Sequence, residues 1–99
     1  MRYTIDYSPE ADDHLRTLTA RQQAVILDAV EEQLTHQAEV ETRNRKPMRP
    51  NPVAPWELRV GDFRVYYDVR KQPHRLVIVM AIGMKRRNRV WIGGEVVEL

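Results

Sequence analysis

The chain contains no cysteine, which excludes disulfides, thiolate zinc sites and a cysteine nucleophile and fits the reducing cytoplasm expected as its location. It also lacks any apolar run approaching the roughly 20 residues of a membrane span. Its amino terminus shows no charged segment leading into an apolar stretch, as a signal peptide would, so no membrane partner is expected. The three histidines, His14, His36 and His74, are scattered, and no close-spaced carboxylate constellation appears. No metal and no cofactor is therefore expected. There is no internal repeat, and 99 residues leave room for one domain, residues 1–99.

Charge of one sign is scarce in each part of the sequence. Residues 1–42 carry three arginines against nine acids, a balance of −6, whereas the remainder carries 13 cations against five acids, a balance of +8. No acid occurs between Thr42 and Trp56, where Arg43, Arg45, Lys46 and Arg49 cluster. Such a basic half points to a polyanionic partner and not to any particular fold.

The stretch Trp56–Val69, WELRVGDFRVYYDV, alternates apolar and polar residues on either side of Gly61-Asp62. Glycine at the first central position predicts a type II′ hairpin in which Val60 faces Phe63, Arg59 faces Arg64, Leu58 faces Val65, Glu57 faces Tyr66 and Trp56 faces Tyr67. One face is then apolar (Trp56, Leu58, Val60, Phe63, Val65, Tyr67, Val69). The other holds Glu57, Arg59, Arg64, Tyr66 and Asp68. Directly opposed arginines repel, so this second face is a candidate anion-binding surface.

Ahead of the hairpin, Arg2–Tyr7 alternates as a strand. Ser8-Pro9-Glu10 opens a helix with Ala11, Leu15 and Leu18 inward, and its acids suit the positive helix end. Thr19 with Gln22 forms a capping box that starts a second helix running to about His36–Ala38, with Ile26, Leu27, Val30 and Leu34 buried. Four prolines between Glu39 and Pro55 deny a helix or a central strand there. The basic loop that results is either a solvated segment or a binding one, and its length in so small a domain favours function.

Beyond the hairpin, Arg70–His74 is a polar turn, and Arg75–Ile82 is apolar at nearly every position, the pattern of a central strand covered on both faces. Gly83 to Arg89 then carries Lys85, Arg86, Arg87 and Arg89; Val90–Ile92 is a short strand, and Glu95–Leu99 a strand end or a frayed tail. The expected fold class is α+β, an N-terminal strand and helical hairpin packed on a small twisted antiparallel sheet.

The segments ELRVGDFRVYYDV and LVIVMAIGMKRRNRVW, in this order and spacing, resemble the RelE/ParE superfamily of type II toxin–antitoxin toxins, nearest the RelE-like branch. The resemblance implies a ribosome-dependent messenger endoribonuclease that inhibits translation, with ribosome and mRNA as partners and a cognate antitoxin as inhibitor. It carries the hairpin arginine of the family to Arg64 and the basic residue after the strand-ending glycine to Lys85. Glu57 stands where the best-known ribonucleases have lysine. Trp91 stands where they have a tyrosine, and an indole has no phenolic oxygen to exchange a proton.

Cutting RNA through its own 2′-hydroxyl requires a base, cations for the phosphorane and an acid for the leaving oxygen. Arg64 would clamp phosphate and Lys85 would add charge. Glu57 is either the base or a cross-strand partner of Arg59 or Arg64. Trp91 or Tyr66 would stack an unpaired base, the alternative for Trp91 being a core aromatic that covers the sheet edge. Arg43, Arg45, Lys46, Arg49, Arg59, Arg86, Arg87 and Arg89 would contact RNA phosphates. Poisoning of DNA gyrase by a ParE-like surface, a catalytically impaired homologue that only binds antitoxin, and general nucleic-acid binding are the competing readings.

Overall fold

Both faces of one long strand are covered, as its uniformly apolar sequence requires. The computed structural model describes residues 2–99. Among these the elements are β1 (Thr4–Tyr7), α1 (Pro9–Arg16), α2 (Ala20–Leu34), β2 (Arg45–Pro47), β3 (Trp56–Val60), β4 (Phe63–Arg70), β5 (Leu76–Arg86), β6 (Arg89–Ile92) and β7 (Glu95–Val97). The strands form one sheet in the order β2-β3-β4-β5-β6-β7, with β1 on β5. All pairings are antiparallel except β1 with β5, which is parallel (Thr4 opposite Leu76 to Tyr7 opposite Val79). β5 therefore has β4 along one side and, on the other, β1 at its start and β6 at its end.

The hairpin has the predicted register at every pair from Val60–Phe63 to Trp56–Tyr67. Gly61 has φ +57, the conformation its turn position demands. Its apolar side joins the main core with Ala11, Leu15, Ile26, Val30, Leu34, Val77 and Val79. Each fully buried aliphatic there contributes about 1.5–3 kcal/mol. Trp56 stacks on Tyr67 with ring centroids 6.0 Å apart. The helices cover this face only, α1 over β5 and α2 over β3.

Several expectations shift in detail. α2 stops at Leu34, and Leu27 lies at the solvent edge, 39% exposed, because the core side of the helix is Ile26, Val30 and Leu34. His36 consequently sits in the turn beyond the helix. The proline-rich loop contributes an edge strand, β2, ending at Pro47, and the C-terminal tail forms β7. The parallel β1 was not foreseen, since alternation alone does not reveal pairing direction.

α1 is tied to β5 at both ends. The Ser8 hydroxyl accepts from Ala11 N–H (3.1 Å) as helix cap and donates to the Met80 carbonyl (2.9 Å), while His14 Nδ1 accepts from Ile82 N–H (3.2 Å). Those contacts bracket a β-bulge. Tyr67 faces Val79 and Tyr66 faces Ala81, leaving Met80 as the extra residue. A bulge resets the alternation of side chains. Val77, Val79 and then Ile82 and Met84 therefore face the helices, and Ala81, Gly83 and Lys85 face the other way. On that second face Tyr66, Ala54 and Ala81 form a smaller core with Met48, Val53, Val90, Ile92 and Leu99.

Candidate nucleic-acid interface

The helix-free face presents three successive rows across the strands. The first holds Lys46, Glu57, Tyr66 and Ala81; the second holds Arg59, Arg64 and Gly83; the third holds Lys85. Lys85 reaches this face because of the bulge, and its backbone N–H bonds to the Asp62 carbonyl (2.8 Å), which fixes it beside the hairpin turn.

Arg64 is only 7% exposed. Its Nη1 donates to the carbonyls of Gly61 (2.7 Å) and Phe63 (2.8 Å), so the turn holds the guanidinium in place. The other edge of the fork makes no hydrogen bond to the described residues. Directly opposite on β5 is Gly83, where an added Cβ would come within 2.9 Å of Ile92 Cγ1 and of the Trp91 carbonyl oxygen. Glycine is required there by that close approach of β6.

Glu57 is half-buried and, among the described residues, forms no ion pair; the ion pairs present are Arg70–Asp68 (3.9 Å) and Lys71–Glu39 (3.1 Å). The cross-strand ion pair with Arg59 or Arg64 weighed from the sequence is thus not formed. Lys46, Arg59 and Arg64 share its face on β2, β3 and β4, and none of them pairs with it.

Tyr66 is completely buried, and its hydroxyl has no hydrogen-bond partner; neither does the buried Arg59 Nε. Burial, followed by the Glu57 carboxylate, pushes the Tyr66 phenol well above the usual tyrosine range, with Arg64 opposing. Burial does the same to Tyr67, whose hydroxyl donates to the Ala38 carbonyl (2.7 Å). These raised values fix the sign of an alkaline effect. Both phenols remain protonated longer in the folded chain, so their stabilisation is whole below about pH 10 and is lost as pH rises beyond it, by up to about 1.4 kcal/mol per pH unit for each. Urea unfolding followed from about pH 9 to pH 11 should show this fall, and a flat stability over that window would contradict the assignment.

The remaining cations divide. Arg49 donates to the Leu99 carbonyl (3.4 Å) and lines a shallow cleft with Lys85 and Val90, so it joins the site. Lys46 and Arg43 are exposed. Arg45 is not available to RNA, contrary to expectation. It faces the helix side and is 4% exposed; Nε donates to the Val40 carbonyl (2.9 Å), Nη1 to the Gln33 carbonyl and side chain, and Nη2 to Gln37 Oε1 (3.2 Å).

Arg86 and Arg89 oppose each other across β5 and β6 on the helix-side face, and Arg87 occupies the turn with φ +58. Trp91 pairs with Met84 and lies on that same face. The structure therefore does not bring Trp91 together with Arg64, Glu57 or Lys85. Strand alternation after the bulge sends it into a 480 Å³ cleft lined by His14, Leu18, Phe63, Met84 and Gly93. It is neither a stacking partner inside the Arg64 face nor a sealed core aromatic, being 40% exposed. Tyr66, expected from the sequence to be able to stack an unpaired base, cannot do so, because it is fully buried. The predicted register already placed it opposite Glu57; what the sequence did not show was that the second core would bury its hydroxyl.

No group of three or more metal-ligating side chains occurs among the described residues. No helix of the described chain is long and apolar enough to cross a membrane.

Comparison with known proteins bears on this geometry. Residues 5–89 match the model of the ParE toxin of the type II toxin–antitoxin system parDE. A chain in the crystal structure of the toxin–antitoxin complex RelBE2 from Mycobacterium tuberculosis superposes with a TM-score of 0.73 at 21% identity, covering 86% of this chain and 100% of that one. No curated protein matches the sequence. The helices-on-one-face sheet is thus the fold of that chain, and the expected fold class holds.

Proposed function

This chain belongs to the ParE toxin family of type II toxin–antitoxin systems, within the RelE/ParE superfamily, and on that premise we propose that it is a RelE-like, ribosome-dependent messenger endoribonuclease neutralised by a cognate antitoxin. The observation that carries the reading is the shared face of Glu57, Arg64 and Lys85, on which the carboxylate has no ion-pair partner and the guanidinium is held by the hairpin turn.

Glu57 takes the proton of the ribose 2′-hydroxyl as its oxygen attacks phosphorus. The free edge of the Arg64 fork and the Lys85 ammonium stabilise the equatorial oxygens of the phosphorane. The bond from phosphorus to the 5′-oxygen breaks, and that oxygen is protonated by water. The products are a 2′,3′-cyclic phosphate and a free 5′-hydroxyl. No strong intrinsic acid stands on this face, so orientation of the messenger by the ribosome supplies much of the acceleration. Lys46, Arg49 and Arg59 flank the same surface and contact phosphates. Arg86, Arg87 and Arg89 reach RNA around the β5–β6 turn, each such contact adding about one unit to the salt slope. The antitoxin is expected to lay an acidic or amphipathic segment over this basic face.

Membership of the ParE toxin family is equally compatible with the competing reading from the sequence, poisoning of DNA gyrase through binding alone. Pulse labelling after induced expression separates the two. Protein synthesis should stop first, with purified protein cutting messenger on ribosomes and leaving free RNA largely intact. Arrest of DNA replication before translation would overturn the ribonuclease reading, as would robust cutting of naked RNA at physiological salt the need for a ribosome.

A further inference from the structure

A buried phenol with no partner is costly, since its lost hydration goes uncompensated, and such groups call for an explanation. Tyr66 is one, in the row directly between Glu57 and Ala81. The backbone brings it close to Glu57. Arg59 N–H donates outward to the Asn44 carbonyl (2.8 Å), so Arg59–Arg64, and by alternation Glu57–Tyr66, are pairs without mutual backbone hydrogen bonds. In antiparallel sheets these are the pairs whose side chains approach most closely. The ring is held in the smaller core with Ala54 and Ala81.

We propose that Tyr66 is a positioning residue for Glu57, its hydroxyl donating the hydrogen bond that orients the carboxylate toward the ribose 2′-hydroxyl. The phenol never meets RNA, being fully covered. It donates to Glu57, the acceptor directly across the strand; Asp68, the other carboxylate of this face, accepts from Val69 N–H (2.8 Å) and pairs with Arg70 (3.9 Å), and Lys46, Arg59, Arg64 and Lys85 offer donors only. Its single hydrogen bond leaves the remaining lone pairs of Glu57 for the incoming proton. The inference rests on the ribonuclease reading for its function and on geometry alone for the contact.

Tyr66→Phe keeps the ring and removes the donor. On messenger-loaded ribosomes the variant should cleave about tenfold more slowly at saturation, the rate equivalent of one charge-assisted hydrogen bond, with the half-saturating ribosome concentration unchanged. Combining it with Glu57→Gln should slow cleavage no further than Glu57→Gln alone. Wild-type turnover by Tyr66→Phe, a loss confined to half-saturation, or losses that multiply in the double variant would overturn the proposal. If the wild-type protein does not cut on ribosomes, the ribonuclease reading fails and Tyr66 loses its role with it. The contact is then judged separately by the titration of ring-labelled Tyr66 in NMR. In Glu57→Gln this phenol should ionise at lower pH than in the wild type, and an unchanged titration would remove the contact as well.

Discussion

Replacing Arg64 with alanine is expected to lower messenger cleavage on ribosomes by about 10²- to 10³-fold, the usual loss when one preorganised donor to a developing oxyanion is removed. The same variant should abolish growth arrest. Two roles meet in this side chain, because Nη1 also holds the carbonyls of Gly61 and Phe63. Alanine therefore also destabilises the hairpin, by about 1–2 kcal/mol. Arg64→Lys separates the roles, since it keeps a positive charge while losing the planar fork. It should fold with a thermal midpoint near that of the wild type and recover only part of the activity. An Arg64→Ala protein that stays folded and arrests growth as strongly as the wild type would deny Arg64 an essential catalytic part.

Arg45→Ala is expected to cost about 3 kcal/mol of stability, because it strips partners from carbonyls and amides gathered at the end of α2 and leaves a cavity against β2. The neighbouring Arg43→Ala and Lys46→Ala, at exposed positions, should stay within about 0.5 kcal/mol of the wild type. Denaturant titrations of the three variants make the comparison. The contrast matters because all three cations look alike in the sequence. Were Arg45 an RNA contact, its loss would leave the unfolding midpoint in place and flatten the salt dependence of binding instead.

That pair of residues shows what was and was not legible in the sequence. Where a strand alternates, as in Trp56–Val69, period and turn chemistry together fix facing and register, and every hairpin pair was predicted correctly. The helix caps were legible for the same reason, since Ser8 and Thr19 each satisfy a specific backbone donor. Where apolar residues fill both faces, as along Leu76–Ile82, there is no alternation to break, so the bulge at Met80 left no trace. Its consequence for Trp91, turned away from Arg64, was hidden with it, whereas the family resemblance had already paired Lys85 with Arg64. Arg45 was misread because three residues of β2 between prolines carry too short a pattern to show which of them points inward.

The parallel β1 has a consequence for how the chain acquires its shape during synthesis. Thr4–Tyr7 is made well before its hydrogen-bonding partners, Leu76–Val79, which lie more than seventy residues downstream. Contacts so distant in sequence close late and slowly. β1 must wait, unpaired, while the residues between it and β5 are translated, and α1, whose cap and histidine are fastened to Met80 and Ile82, waits with it. Docking of β1, and of the helix fastened beside it, is thus deferred by topology until β5 has been made.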